Sequence, residues 1–555
     1  MASTTEPAGK GGFLTYLLSF VLFTLGWQLL AAAVSAPLIL PGPLAVLRRL
    51  VSLCGTADFY RHVGATMGRV FTAFAVTFAA GSILGLTCGR SRVTRQLLSV
   101  LLTAVRSVPV VSFILIALFW LGSSAVPVFV AVVMTLPVMM TAVCTGCSAA
   151  PRQLLDAASS YRLKPGQLFR HLTLPCLLPF VRDGSISSFG MIWKVVAAGE
   201  VLALPKLGTG QLLYTAQLHL ESADLLAVTL TIVLLSFSFE RGAAALLTLL
   251  AGQGQDRRRL ASARAAERYG MPESPAENVN MAKNGNTGIS QPSKASLPPE
   301  ILLEGVSAVR SGRPLYRDFT LRFAPASSTA IIAPSGAGKT TLLNFVASLL
   351  RPDDGEFSGK VSFGDGTESP RISFLFQEPC LFPRCTVYEN VLLPLLNILE
   401  QEAASRTALR FLAACGLSGK LSSFPDEMSG GERQRTALAR AFAFPSQILL
   451  LDEAFQSQDL AQKLSLMRLY EKLLGDCPRT VIFVTHDIRE ALSCCSRIIV
   501  LKGSPLSTQL DETLSAPKTS FAARYLSPDA AMRSLEQRIA GLLLDPPLAE
   551  PCCFH

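Results

Sequence analysis

Apolar residues are unevenly spread along this chain. Between Gly12 and Leu250 long apolar runs recur, whereas from Gly252 onward a polar stretch gives way to the mixed pattern of a globular domain. A helix needs roughly 20 apolar residues to cross about 30 Å of hydrocarbon, where only helices and closed barrels satisfy their own backbone groups. Six runs predict six transmembrane helices, at about 12–34, 63–88, 105–121, 125–149, 176–204 and 224–250, with GSS at 122–124 folding the third and fourth into a tight hairpin. The first run is too long for the core of a signal peptide and only Lys10 precedes it among basic residues, so it reads as an anchor.

Between the fourth and fifth runs lies a polar, basic stretch, DAASSYRLKPGQLFRHLTLP, at 156–175. Pro151 and Pro165 each suit the first turn of a helix, where a missing N–H costs nothing, and Pro175 closes the region. Two short helices joined by a bend are therefore predicted. Leu154, Leu155, Ala158 and Tyr161 recur at helical spacing on the first, and Leu168, Phe169 and Leu172 crowd one side of the second. Such an amphipathic elbow could lie on the lipid surface or dock into a soluble partner.

From Gly252 to Glu300 large apolar residues are scarce and Asn, Ser, Pro and Gly abound, which predicts a flexible tether. Beyond it, the apolar run Thr329 to Ile332 enters the loop APSGAGKTT (333–341) and leaves into a helical pattern, the setting a phosphate-binding loop requires. Backbone N–H groups from Gly336 to Lys339 can cradle phosphate oxygens, Lys339 can reach the β- and γ-phosphates, and the Thr340 hydroxyl can hold Mg²⁺. Ala333 stands where the usual pattern has its first glycine, and Pro334, Ser335, Ala337, Gly338 and Thr341 complete the loop. A second apolar strand, ILLLDEAF, carries Asp452 and Glu453 at its carboxyl end. Two adjacent carboxylates there can divide the labour, Asp452 on Mg²⁺ and Glu453 polarising an attacking water.

With 555 residues, 50% of them hydrophobic and 16% charged, and a mean hydropathy of +0.40, the chain is a membrane protein with a soluble half. A net charge of +10 and a pI near 9.0 would suit a nucleic-acid binder, but many of the basic residues fall in short loops between apolar runs, so no nucleic-acid partner is expected. GRSRVTRQ (89–96), the elbow's Arg152, Arg162, Lys164 and Arg170, and DRRR (256–259) share one side, while Arg48, Arg49 and Arg61 fall on the other. The first side is predicted to be cytoplasmic, and an even number of spans puts both termini there. The 13 cysteines are scattered, and Cys144 and Cys147 lie in an apolar run with no second pair nearby, so they read as packing residues rather than a zinc site or disulfide framework. Arg106, Lys194 and Glu200, charges in or beside the runs, are functional candidates by position.

The soluble half resembles the ATP-binding domain of ABC transporters from Ile301 to about Leu506. Five motifs follow the loop's own pattern in order: APSGAGKTT as Walker A, FQEP with Gln377 as the Q-loop, MSGGERQR with Ser429, Gly430, Gly431 and Glu432 as the signature, ILLLDE as Walker B with Asp459 as the D-loop aspartate after it, and VTHD with His486 as the switch histidine. The family's adenine-stacking aromatic aligns with Arg310, leaving that contact to Arg310 or a neighbour such as Tyr316, and Ala454 and Gln456 replace the usual Pro and Ser or Thr. The apolar half resembles binding-protein-dependent importer permeases, most closely those for nitrate, sulfonates and taurine, through LILPGP, WKVVAAGEVLALPKLGTG and the elbow itself. There Asp156, Ala157, Ala158, Arg162, Leu172, Leu174 and Pro175 fit the E-A-A, Gly, Ile-x-Leu-Pro loop, with arginine at 162 where the family prefers the bend-forming glycine.

The resemblance implies an α-helical membrane domain of six transmembrane helices, type I importer-like, followed by an α/β P-loop NTPase domain of ABC type. The domains would be 1–250 permease, 251–299 linker, 300–510 ATPase and 511–555 a C-terminal tail of unassigned role. It further implies ATP and Mg²⁺ as cofactors, with Gln377 on the metal and γ-phosphate beside Thr340 and Asp452, Glu453 as general base and His486 as the transition-state contact. A homodimer with two composite ATP sites, an external solute-binding protein, a small anionic or organic substrate, a cytoplasmic-membrane location and an elbow docked on the ATPase near the Q-loop complete the picture. An exporter shares the domain order, but its helices extend far beyond the short loops here. A membrane-tethered ATPase that senses without moving solute is the remaining alternative.

Overall fold

The computed structural model describes residues 10–36, 38–269, 298–310, 312–351, 354–364, 370–456, 459–514 and 519–544. The chain divides into two compact units, one of residues 1–149 with 175–252, the other of residues 150–174 with 253–555.

In the first unit the apolar runs fold as α1 (Lys10–Val34), α2 (Pro43–Cys54), α3 (Ala57–Arg90), α4 (Arg92–Ser107), α5 (Val110–Leu118) and α6 (Val126–Cys147). After α7 (Arg152–Ser160) and α8 (Pro165–Leu168), which fall to the second unit, come α9 (Leu174–Ala203), α10 (Thr209–Leu218) and α11 (Ser222–Tyr269). Six spans were expected; among the described residues, four helical runs are long and apolar enough to cross a membrane, or five if one bent pair counts as a crossing. The correction falls mainly on the third span. α4 and α5 meet at 92°, because Pro109 lacks an N–H and holds Val108 in an extended conformation, which breaks the helix inside the run expected at 105–121. The described apolar part of α1, Leu18–Val34, is also shorter than the four.

Lipid offers apolar helices no hydrophobic reason to associate, so close packing must supply it. Gly81, Gly85 and Gly89 form a stripe on α3 against Met139, Val143 and Cys147 of α6, and a Cβ added at these glycines would fall 2.8, 2.5 and 2.5 Å from the facing Cβ atoms. Val70, Ile114, Val130, Ile192 and Trp193 fill the space beside this crossing. Two of the three candidate charges are held by partners. Glu200, fully buried, accepts from the Thr66 hydroxyl and the Gly210 N–H at 2.9 Å each and pairs with Arg69 at 2.5 Å. Arg106 donates to the Thr141 hydroxyl at 2.7 Å and to the Pro137 carbonyl at 3.1 Å, and Lys194 is exposed. Glu200 and Arg106 therefore tie helices together.

The second unit contains two sheets. β1 (Ile301–Arg310), β2 (Arg313–Phe323) and β4 (Glu356–Phe363) make an antiparallel sheet in the order β2-β1-β4, with β3 (Ser328–Ile332) belonging to the other. That second sheet adds β5 (Ile372–Leu375), β6 (Ile448–Asp452), β7 (Thr480–Thr485), β8 (Arg497–Lys502) and β9 (Ser507–Thr513) in the order β5-β6-β7-β3-β8-β9, parallel except for β9. β6 and β7 are buried at every position, the pattern of parallel strands covered on both faces. The covering helices are α12 (Lys339–Val346), α13 (Val387–Leu395), α14 (Gln401–Ala414), α15 (Gly430–Ala443), α16 (Leu460–Asp476), α17 (Ile488–Cys494), α18 (Phe521–Leu526) and α19 (Ala530–Leu544).

Two expectations change here. The tether expected from 251 is helical to Tyr269, and Ser262, Ala265, Ala266 and Tyr269 turn one face to the unit's interior; a stripe of small and polar residues reads as loop by composition. Its remaining part, 270–297, lies outside the described residues. The tail expected from 511 instead continues β9 to Thr513 and forms α18 and α19, whose Met532, Leu535 and Ile539 join the main core. Residues 545–555 lie outside the described residues.

Candidate nucleotide site and coupling elbow

β3 ends in the loop, and α12 begins at Lys339 on the left-handed Gly338 (φ 99°), preceded by a second left-handed glycine, Gly336 (φ 75°). Positive φ at both positions turns successive N–H groups into one concavity, a nest for an anion at a helix N-terminus. Pro334, Ser335 and Gly336 are exposed at its mouth, Ala337 closes a turn onto the Pro334 carbonyl, and the side chains of Ala333 and Thr341 are buried behind it. Lys339 folds back to the carbonyls of Ala333 and Pro334, at 2.8 and 3.0 Å, and burial pushes its ammonium below the ordinary lysine range, against the pull of Glu453 and Asp452.

β6 delivers two carboxylates to the same place. Asp452, 4% exposed, accepts from the Thr340 hydroxyl at 2.7 Å. Burial pushes its carboxyl up to about 6, opposed by the Thr340 hydrogen bond. A hydroxyl and a carboxylate held together, with phosphate oxygens and water to complete the shell, fit the hard oxygen coordination of Mg²⁺. Glu453 takes a positive φ of 49°, which turns its side chain to the site, and three groups surround its carboxylate: Gln377 Nε2 at 3.0 Å, His486 Nδ1 at 3.2 Å and Lys339 Nζ at 4.0 Å. Gln456, at the position where serine or threonine is usual, puts its amide 2.8 Å from His486 Nδ1. Loop, Q-loop, β6 and the β7 end thus converge on one cluster.

The remaining predicted residues lie elsewhere. Ser429 caps α15 by accepting from the Glu432 N–H at 3.2 Å, while Glu432 returns the bond to the Ser429 N–H at 2.9 Å. Ser429 and Gly430 are exposed and Gly431 is buried. Asp459 caps α16 through the Gln462 N–H at 2.8 Å. Of the two adenine candidates, Tyr316 is 2% exposed with its hydroxyl on the Gly338 carbonyl at 3.0 Å, so it is a support for the loop, whereas Arg310 is exposed.

The elbow, α7 with α8 and a following turn of π-helix (Phe169–Thr173), is seated within the second unit. Ala157, Ala158 and Leu172 are buried, and Leu174 and Pro175 are partly so. Asp156 pairs with Arg351 at 2.8 Å and Arg152 with Asp354 at 3.2 Å; burial raises the Asp156 carboxyl, with Arg351 pulling the other way. Sequence reasoning missed the deepest contact. Tyr161, with no exposed surface, donates its hydroxyl to the Phe374 carbonyl at 3.1 Å, and the Arg440 guanidinium of α15 lies 4.9 Å from its ring centre. Arg440 donates onward to the Cys380 and Pro379 carbonyls at 2.8 and 3.0 Å, just after Gln377. An arginine in the alanine-rich TALARAFA was the available signal. Arg162 makes the bend itself at φ 53°, donates to the Pro370 carbonyl at 3.3 Å and accepts from Asn397 at 3.2 Å.

Residues 316–456 match the family described as ABC transporter, and residues 81–248 match the binding-protein-dependent transport system inner membrane component. An aliphatic sulfonates import ATP-binding protein of Rhodococcus jostii is 35% identical over 254 residues, covering 43% of this chain and all of the relative. A second protein of that name, from Pseudomonas syringae pv. syringae, is 32% identical over 46% of this chain and 93% of its own length. A sulfate/thiosulfate import ATP-binding protein of Bradyrhizobium diazoefficiens is 36% identical over 36% of this chain and 60% of its own length.

Proposed function

The chain belongs to the ABC transporter family, and from that premise we infer that it is one half of an ATP-driven importer, permease and ATPase in a single polypeptide. The solute is a small oxyanion or organosulfonate, the class that the names of the relatives share. An external solute-binding protein delivers it across a cytoplasmic membrane, with the ATPase and both termini on the cytoplasmic side.

Two copies pair so that Ser429, Gly430, Gly431 and Glu432 of one complete the site built on Lys339 of the other. ATP binds with its phosphates in the 336–339 nest, where Lys339 leaves its carbonyl partners for the β- and γ-phosphates. Mg²⁺, held by Thr340, Asp452 and the Gln377 side-chain oxygen, would neutralise charge on the phosphate oxygens. Glu453 orients and polarises the attacking water, kept in place by Gln377 and His486, and His486 then faces the charge that develops on the γ-phosphate. Closure of the dimer is passed to the membrane helices through the elbow. The observation that carries this reading is Tyr161, buried between the Phe374 carbonyl and the arginine that holds the Q-loop segment to the signature helix.

Vesicles loaded with ATP and supplied outside with the binding protein and a radiolabelled sulfonate test the direction. Uptake is expected; efflux would indicate an exporter, and ATP turnover without flux a sensor. In Glu453→Gln, nucleotide binding should persist while turnover falls by about 100-fold or more. Parental turnover in that variant would sink the general-base assignment.

A further inference from the structure

α11 runs unbroken from Ser222 to Tyr269, and the part beyond residue 252 packs within the ATPase unit. Its contacts concentrate on two points. The first is the start of α13, where Thr386 and Glu389 form a reciprocal cap. Ser262 meets the Thr386 hydroxyl at 2.8 Å and Arg258 donates to Glu389 Oε2 at 3.2 Å, so both members of the cap are gripped from α11. The same Arg258 nitrogen lies 3.3 Å from His171 Nδ1 on the elbow and 3.5 Å from Cys385 Sγ.

The second point is the turn Pro425–Glu427, immediately before the signature. Arg259 pairs with Glu427 and lies 5.2 Å from the Phe424 ring centre, and Ser422 donates to the Arg259 carbonyl at 3.2 Å. One helix, continuous in sequence with a membrane-spanning segment, thus touches the elbow, the helix that follows the Q-loop and the turn that leads into the signature.

We propose that residues 253–269 form a second coupling element, a strut that carries movement between the last membrane helix and the signature region in parallel with the elbow, with Arg258 as its positioning residue. This rests on the transporter reading above. The elbow reports on the Q-loop side, through Tyr161 and Arg440. The strut reports on the other side, through Thr386, Glu389 and Glu427. Arg258 joins the two, since one of its guanidinium nitrogens reaches His171 and Glu389 together.

The test uses the full chain in lipid nanodiscs. Maleimide labelling of Cys144 and Cys147 in the membrane unit is measured with and without ATP and Mg²⁺, alongside ATP hydrolysis and its KM. In Arg258→Gln, hydrolysis and KM should keep parental values while the ATP-dependent change in labelling falls about fivefold or more. Arg258→Met, which keeps an unbranched side chain of similar length and loses the charge and every donor, serves where Arg258→Gln does not assemble and should show the same dissociation. The double change Arg258→Glu with Glu389→Arg should regain part of the response. A full parental response in Arg258→Gln and Arg258→Met would overturn the strut alone, and so would a loss of response matched by a loss of ATP affinity. A parental protein whose labelling ignores ATP would overturn the transport reading and the strut with it.

Discussion

Arg162 occupies a left-handed conformation that costs a non-glycine residue about 1 kcal/mol or more, and it holds two hydrogen bonds there. Arg162→Gly removes the strain and the Pro370 contact together, while the Asn397 bond, made to the backbone, survives. The two effects are of similar size, about 1 kcal/mol each, so stability should barely move. Arg162→Ala keeps the strain and loses the contact. It should be less stable than Arg162→Gly by about 1 kcal/mol, read as a lower midpoint for thermal inactivation of ATP hydrolysis. Equal midpoints would mean the bend does not govern the seating. The departure from glycine at 162 was visible in the sequence, but its resolution was not. Whether the bend moved toward Pro165 or stayed depended on partners at 370 and 397, more than 200 residues away. The strand–loop–helix setting of 333–341 was legible for the opposite reason, since nine consecutive residues and their flanks carry all of it.

Among the elements, the crossing of α3 and α6 depends on three glycines whose spacing is plain in the sequence, though the facing residues are not. Gly85→Val would place a Cβ 2.5 Å from that of Val143, forcing the helices apart, whereas a Cβ at Gly64 on the same helix meets nothing within 4 Å. Gly85→Val should therefore cost about 1–3 kcal/mol, seen as a lost monodisperse peak in size-exclusion chromatography, with Gly64→Val as the unaffected control. Helix ends were harder to read than helix cores. The SVP before α5 sits inside a continuous apolar run, so hydropathy alone bridges a break that a single missing N–H creates. The strut was misread in the reverse sense, because alanine, serine and arginine can build a buried helix face without looking apolar.

At the scale of the whole molecule, one polypeptide carries one nucleotide loop and one signature, and these are separate constellations within it. If two chains share their sites, Lys339→Ala and Ser429→Arg should each be inactive alone, yet co-expressed chains should regain ATP hydrolysis, because a mixed pair retains one intact site of two. No recovery would argue against composite sites. Fusion also bears on how firmly the elbow must hold. Its ion pairs, Arg152–Asp354 and Arg351–Asp156, are half open to solvent, and such pairs contribute about 1 kcal/mol or less each. They are the lesser part of the grip, beside the buried Tyr161, Ala157, Ala158 and Leu172. Joined in one chain, the two halves cannot part on dilution, whatever their abundance in the cell. Each copy of the permease half therefore comes with its own ATPase half, and the seat of the elbow has only to keep its register, since the chain itself prevents the loss of a subunit.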